Sequence, residues 1–219
     1  LSGISAGVSV AAIKFLPLIY APAFFLAATR RWRWALGFAV PIVAVYGTFL
    51  SLRLPILTPL QQEGNLKCAG NIPFLVESLV GVDLPSRLWD VLLLATFALI
   101  FFFVARVCRN ATLPTRLRAI TFATAALTLT LVLFSKKSWP PYLMLALFPI
   151  CLLPNSGRRL QVTSFAIFSM IAVTEHSYWA TLLYQCTSQD FHRGLLSAQP
   201  TYYLFLVMQL LLLGGYRWL

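Results

Sequence analysis

FSKKSWPPYLMLALFPICLL, residues 134–153, is the stretch on which the interpretation of this chain depends. It places two adjacent lysines, Lys136 and Lys137, beside an almost continuous hydrocarbon sequence. A cation next to an apolar membrane segment is energetically costly, so function is the first explanation to consider for such a residue. The alternative is that the two lysines mark a short water-exposed turn between two membrane helices, with Trp139 and Tyr142 as interfacial anchors.

The composition of the whole chain is that of a membrane protein. Hydrophobic residues make up 59% of the 219 residues and charged residues only 11%, whereas an ordinary soluble domain carries about 25% charged residues. The formal net charge of +11 would suggest nucleic-acid binding in a soluble protein, but here the basic residues lie in clusters between apolar segments. That pattern is typical of cytoplasmic loops that face anionic lipid headgroups, and it excludes nucleic acid as the expected partner.

The lengths of the apolar segments predict the fold class. A bilayer core about 30 Å thick needs roughly 20 apolar helical residues to cross it. We therefore predict an all-α, polytopic transmembrane bundle of about seven spans, forming a single domain over residues 1–219, with outer loops at about 55–88, 135–141 and 181–201. The predicted spans are residues 4–28, 34–54, 89–105, 119–134, 142–154, 160–180 and 202–218.

The distribution of arginine and lysine predicts the orientation. If all seven segments cross, ten basic residues lie on the side of the Arg30, Arg31 and Arg33 cluster and six on the other side, while Lys14 lies within a span. If the short fifth segment dips in and returns, the tally becomes eight against eight, so the positive-inside rule favours a true crossing. In that topology all six acidic residues lie at or near the outer face, and we expect an active or binding site there.

Lys14 lies at the same predicted depth as the lysine pair. It precedes Arg30 by sixteen residues, or about 24 Å of helix, which places it in the outer part of the hydrocarbon layer. Snorkelling to the interface would explain a single lysine. Three ammonium groups at one depth call for an anion, however, and a lipid-linked phosphate carries its charge at that level. We therefore predict that Lys14, Lys136 and Lys137 bind a donor phosphate.

Other candidate chemistry is sparse. Glu175 and His176 form the only adjacent carboxylate and imidazole at the outer face, but neighbouring residues on a helix diverge by about 100°, so capping is the favoured interpretation. Cys68 and Cys186 fall in two outer loops, and a disulfide between them or two free thiols are both compatible with the sequence. The histidines and cysteines have no metal-ligand spacing, so we predict neither a metal nor a cofactor.

Three short motifs resemble those of membrane glycosyltransferases with the GT-C fold. Lys14, Phe15, Leu16 and Pro17, followed by RRWRWALGF from residue 30, are similar to the "K, P, then RRW" span of that family. The closest branch is that of polyprenyl-phosphate-mannose-dependent α-mannosyltransferases of mannolipid synthesis. GNIPF at residues 70–74 resembles the GNQS loop of this branch, and Ser135, Ser138 and Trp139 match its SxxSW segment.

This resemblance implies an enzyme that moves a sugar, expected to be mannose, from a polyprenyl-phosphate donor to a lipid or glycan acceptor. The expected location is the outer face of the bacterial cytoplasmic membrane, where membrane lipids surround the protein. We predict substrate binding by four residues. Asn71, Ser138 and Trp139 lie in the motifs that resemble the family, and the aromatic rings of Trp139 and Tyr142 could stack on a sugar or anchor the helix.

The sequence departs from the family pattern in two ways. Pro140, Pro141 and Tyr142 follow the SW pair, where the family often has acidic and histidine residues. The family's catalytic aspartate belongs to a first outer loop that would precede residue 1, so no residue here inherits that role. The chain opens LSGISAGVSV without a signal-peptide pattern, so we expect it to be a piece of a longer protein. The resemblance then implies the donor-binding and scaffold part of an enzyme whose catalytic carboxylate lies upstream, or a divergent or inactive relative.

Two other classes of function stay open. A transporter or flippase would also use proline-broken spans and intramembrane charge. Against it, the chain shows no repeated half, and its acidic residues avoid the predicted spans. The third interpretation is a non-catalytic membrane scaffold subunit.

Overall fold

A computed structural model describes residues 2–12, 16–55, 71–135 and 187–216, together with residues 159, 163, 166, 167, 169–171, 173 and 174. All regular secondary structure in these ranges is helical, which confirms the all-α prediction. In chain order the α-helices are α1 (Ser2–Ala12), α2 (Ala21–Ala27), α3 (Arg31–Ser51), α4 (Ile72–Val80), α5 (Ser86–Cys108), α6 (Leu113–Phe134), α7 (Ser188–Leu196) and α8 (Pro200–Tyr216), with a 3-10 turn at Leu16–Tyr20.

Three of these helices are long and apolar enough to cross a membrane, namely α3, α5 from Arg87 onward, and α6. They correspond to the second, third and fourth predicted spans, residues 34–54, 89–105 and 119–134. The helices begin three to six residues earlier than predicted because their first turns carry arginine, which the apolar criterion excludes but which a helix end in the headgroup region tolerates. The chain is accordingly a helical protein with membrane-spanning character.

The first predicted span, residues 4–28, is a series of short elements. α1 ends at Ala12, the 3-10 turn covers Leu16–Tyr20, and α2 begins directly after it. Pro22 lies in the first turn of α2, where a missing backbone N–H costs no helical hydrogen bond. Over its described residues this predicted span is therefore not one continuous helix.

Two glycines on α1 allow close contact with α3. Gly3 and Gly7 are buried, and a Cβ atom at either position would collide with a backbone carbonyl oxygen of α3, that of Trp34 or Phe38 respectively. The spacing of four residues forms a GxxxG motif, which lets membrane helices approach backbone to backbone. The tyrosine hydroxyl of Tyr46 adds a 3.4 Å hydrogen bond to the carbonyl oxygen of Val10.

Two predicted outer loops contain helices that the sequence interpretation missed. α4 lies in the loop predicted at 55–88, and α7 lies in the loop predicted at 181–201. The seventh predicted span, residues 202–218, is confirmed as helical over most of its length by α8. The fifth span and most of the sixth lie outside the described residues.

The chain divides into two compact units. The first comprises Leu1–Asn65 and Leu99–Leu127, and the second comprises Leu66–Ala98 and Thr128–Leu219. In the second unit α4, α7 and α8 meet in a small core of Phe74, Phe191 and Phe205, all at most 5% exposed. The single domain predicted from the sequence stays a prediction.

Candidate functional site

Asn71 is the one predicted substrate-binding residue that the structure describes. It is fully buried and stands at the N-terminal end of α4, where its Oδ1 accepts a 2.9 Å hydrogen bond from the backbone N–H of Phe74. This is an N-cap, which satisfies one of the free amides of a helix's first turn. Pro73 in the same turn and Gly81 just after the helix complete the boundary signals.

The nitrogen of the Asn71 side-chain amide bonds to a residue that is distant in sequence. Its Nδ2 donates a 2.9 Å hydrogen bond to the backbone carbonyl oxygen of Ser135, 64 residues away. Asn71 belongs to the GNIPF segment, and Ser135 is the first residue of the SxxSW segment. The structure therefore places Asn71 of one segment against the first residue of the other, two segments that the sequence identified separately.

The remaining predicted site residues are not among those described. Lys14, Lys136, Lys137, Ser138, Trp139 and Tyr142 lie outside the described ranges, as do Cys68, Cys186, Glu175 and His176. Ser135 is the last residue described before the lysine pair. The predicted phosphate and sugar contacts therefore stay predictions.

Glu77 is a buried carboxylate that the sequence interpretation did not single out. It is 2% exposed, and its Oε1 accepts hydrogen bonds from the indole Nε1 of Trp89 at 3.2 Å and from the backbone N–H of Leu84 at 3.3 Å. A buried carboxylate needs such donors because it loses its hydration. Glu77 thus fastens α4 to the following turn and to the start of α5.

Polar contacts also hold α7 against the segment after α4. The Ser188 hydroxyl donates a 2.6 Å hydrogen bond to Asp83 Oδ1, and Gln189 Nε2 donates a 3.4 Å bond to Asp83 Oδ2. His192 Nδ1 lies 2.9 Å from the backbone carbonyl oxygen of Ser78, so this nitrogen must carry the proton that it donates. The bonds of Ser188 and His192 join α7 to α4 and to the segment after it, across more than 100 residues of sequence.

Gly81 is required by both its backbone and its neighbour. Its φ of +74° lies in the left-handed region, which glycine adopts without steric cost. A Cβ atom here would lie 2.8 Å from Nε2 of His192. Any side chain would therefore strain the turn and displace the imidazole.

Asp190 forms a capping box at the start of α7. Its Oδ2 accepts bonds from the hydroxyl of Thr187 at 2.6 Å and from the backbone N–H of Thr187 at 3.1 Å, while Thr187 Oγ1 accepts one from the N–H of Asp190. The hydroxyl bond above all, together with the backbone bond and the nearby positive charge of Arg193, lowers the pKa of the Asp190 carboxyl. The T-x-x-D spacing is the sequence signal that identifies this helix start.

The acidic residues described in this region, apart from the exposed Asp90, thus have structural roles, since Glu77 and Asp83 join neighbouring elements and Asp190 caps α7. Glu77, Asp83 and Asp190 each accept hydrogen bonds from the protein. Within the described ranges no group of three or more histidine, cysteine or acidic residues could hold a metal ion. What the arrangement can do chemically is to fix the GNIPF helix relative to the residue that precedes Lys136.

Comparison with family models, with curated proteins and with solved structures gave no match for this chain.

Proposed function

We propose that this chain forms the donor-binding and scaffold part of a multi-pass membrane glycosyltransferase of the GT-C type. It would transfer a sugar, expected to be mannose, from a polyprenyl-phosphate donor to a lipid or glycan acceptor. The site would face outward from a bacterial cytoplasmic membrane.

One observation carries this proposal, which is the hydrogen bond from Asn71 to the carbonyl oxygen of Ser135. The resemblance assigns GNIPF and SxxSW to one substrate site, and a shared site requires that the two segments be neighbours. The 2.9 Å hydrogen bond between Asn71 and Ser135, which are 64 residues apart in sequence, supports such a site. The burial of Asn71 makes the contact a fixed part of the structure, because a buried amide is costly to leave without partners.

The chemistry assigned to the lysines follows from charge. Lys136 and Lys137 directly follow the anchored Ser135, and with Lys14 they would bind the donor phosphodiester. The acceptor hydroxyl oxygen attacks the anomeric carbon of the sugar, and the bond from that carbon to the phosphate oxygen breaks. Polyprenyl phosphate leaves with the bonding electrons, and ammonium groups stabilise its added charge. The hydroxyl proton passes to the upstream carboxylate that the resemblance implies.

Trp139 and Tyr142 are the aromatic residues proposed to contact the sugar. Aromatic rings present flat apolar faces with a polar edge, which suits stacking on a sugar ring. Ser138 would supply a hydroxyl for hydrogen bonding to the same group. All three follow the anchored Ser135 within seven residues.

The test measures sugar transfer in proteoliposomes. The protein used includes the upstream segment that the resemblance implies. Lys136→Met with Lys137→Met should raise the KM for polyprenyl-phosphate mannose at least tenfold, because each phosphate contact is worth about 1 kcal/mol. Lys67→Met is the matched control, since it removes one predicted outer lysine without touching the motif, and it should leave the KM unchanged. Unchanged turnover and KM in the double variant would refute the phosphate role.

A further inference from the structure

Five arginines surround a cleft in the first of the two units. The cleft has a volume of about 600 Å³ and lies where α3 begins and where α5 turns into α6. That volume is within the range of pockets that hold small molecules or headgroups, about 300–1,000 Å³. The arginines lining it are Arg30, Arg31, Arg33, Arg109 and Arg116.

No carboxylate balances this charge within the described part of the unit. Residues 2–12, 16–55 and 99–127 contain no aspartate or glutamate at all. Two of the guanidinium groups are held by backbone carbonyls, with Arg31 bonded to Leu26 at 3.2 Å and Arg116 bonded to Ala111 at 3.0 Å. Arginines gathered without a counter-charge repel one another, so the cleft favours an anion.

Three guanidinium groups are available to such an anion. In the part of the chain that the structure describes, the side chains of Arg30, Arg33 and Arg109 form no hydrogen bond or ion pair, and all three are exposed. Guanidinium matches phosphate in geometry because it can donate two parallel hydrogen bonds. The chemistry of the cleft therefore suits an oxyanion, and phosphate is one that guanidinium groups match.

The start of α3 adds to the same potential. Residues 30–33 form part of the lining, and the N-cap residue Arg30 makes no side-chain capping bond. The first-turn amides therefore point out of the helix without a capping side chain, at the positive end of the helix dipole. Anions bind readily at such helix ends.

The position of the cleft indicates where the phosphate comes from. It lies at the start of α3 and between the end of α5 and the start of α6, which are the three helices long and apolar enough to cross a membrane. Trp32, which also lines the cleft, is 82% exposed, as expected of an indole at the membrane interface. This is the level of lipid headgroups, on the side that the arginine distribution predicts to be cytoplasmic.

We propose that this cleft binds the phosphate headgroup of an anionic phospholipid. The site is separate from the predicted sugar-transfer site, since none of the residues predicted to bind the donor phosphate or the sugar lines it, although residues 30–33 belong to the RRWRWALGF motif. Two phosphates on one headgroup, as in cardiolipin, would use more of the five guanidinium groups than one phosphate would. A basic pocket between membrane helices is a recognised form of such a site.

The experiment measures cardiolipin binding to the purified full chain by native mass spectrometry from nanodiscs, against phosphatidylcholine as the neutral lipid. Arg30→Gln with Arg33→Gln should weaken cardiolipin binding about 30-fold, because each arginine near the surface contributes about a fivefold factor. Arg106→Gln with Arg118→Gln is the matched control. It removes two exposed arginines on the same predicted side that do not line the cleft, and it should change binding less than twofold.

Three outcomes would overturn the proposal. Equal losses in the two double variants would mean that general surface charge attracts the lipid. Inorganic pyrophosphate that displaces cardiolipin at equal concentration would identify a site for soluble phosphate. Arg30→Lys with Arg33→Lys keeps the charge and replaces the glutamine variant if that one fails to fold. Its affinity for cardiolipin should lie between those of the native protein and the glutamine variant. Undiminished cardiolipin binding in the glutamine and lysine variants would exclude the cleft.

Discussion

Asn71 makes two hydrogen bonds of different kinds, and substitutions can separate them. Asn71→Ser keeps an oxygen that can cap α4 but removes the donor to Ser135, whereas Asn71→Ala removes both. We expect the free energy of unfolding to fall by about 1 kcal/mol for serine and by about 2 kcal/mol for alanine. Chemical denaturation in detergent micelles measures both losses.

Asn110→Ala provides the control for Asn71. Asn110 is exposed in the turn between α5 and α6, so its replacement should change the free energy of unfolding by less than about 0.5 kcal/mol. Equal losses for Asn71→Ser and Asn71→Ala would contradict the separation of the two bonds. If Asn71→Ser lowers the rate of sugar transfer under conditions in which the variant stays folded, the contact with Ser135 positions the site.

The Asp190 carboxyl should make the stability of the folded protein depend on pH. Its pKa is lowered in the folded protein, so its stabilising contribution is complete above the unfolded value of about 3.9 and is lost as the pH falls through the lowered folded value. The native protein should therefore be more stable than Asp190→Asn at pH 6, and the difference should shrink at pH 3. Thermal unfolding of both proteins at the two pH values measures it.

Asp90→Asn is the control because Asp90 is exposed at the start of α5 and makes no hydrogen bond within the described ranges. The difference in thermal stability between Asp90→Asn and the native protein should stay small at both pH values. If the difference in stability between the native protein and Asp190→Asn grew toward pH 3, the prediction would be contradicted, because a carboxylate stabilised in its charged form contributes less at low pH.

At the scale of elements, α1 and α3 depend on close contact through glycine. Gly7→Ala would push a Cβ atom into the carbonyl oxygen of Phe38, and we expect a loss of about 1–3 kcal/mol from this overpacking. Gly47→Ala on α3 is the matched control, because a Cβ atom there has no heavy atom within 4 Å. That change should be neutral or stabilise α3 by up to about 1 kcal/mol.

Thermal unfolding in the same detergent compares the two glycine variants. A loss of stability in Gly47→Ala as large as that in Gly7→Ala would assign the effect to backbone flexibility instead of packing. Gly3→Ala should behave like Gly7→Ala, since its Cβ atom would meet the carbonyl oxygen of Trp34 in the same way.

The long helices could be predicted from the sequence, and the short ones could not be predicted by the same criterion. α3, α5 and α6 are nearly continuous apolar stretches of about the length that a bilayer requires. α4 and α7 have nine residues each and lie in stretches that composition marks as polar loops. Their signals were local, namely Asn71 and Gly81 for α4 and Thr187 with Asp190 for α7.

At the scale of the whole molecule, hydropathy describes single segments and says little about which segments meet. The GxxxG pair on α1 could have been identified from spacing alone. Two hydrogen bonds depend on tertiary packing that no local pattern encodes. They join Asn71 to Ser135 and Trp89 to Glu77. The cleft arginines are evident from the sequence as a cluster of charge, whereas their arrangement along one cleft depends on the tertiary structure.

The seven-span topology makes a prediction about which residues face which side of the membrane. With the four native cysteines replaced by serine, Gln199→Cys should react with a membrane-impermeant maleimide in intact cells. Asn110→Cys and Asn155→Cys should react only after permeabilisation, because they fall on the side rich in arginine. If the fifth segment dips in and returns, residue 155 becomes outer and residue 199 becomes inner. Labelling of Asn155→Cys with protection of Gln199→Cys would therefore refute the seven-span topology and, with it, the outward-facing orientation of α7.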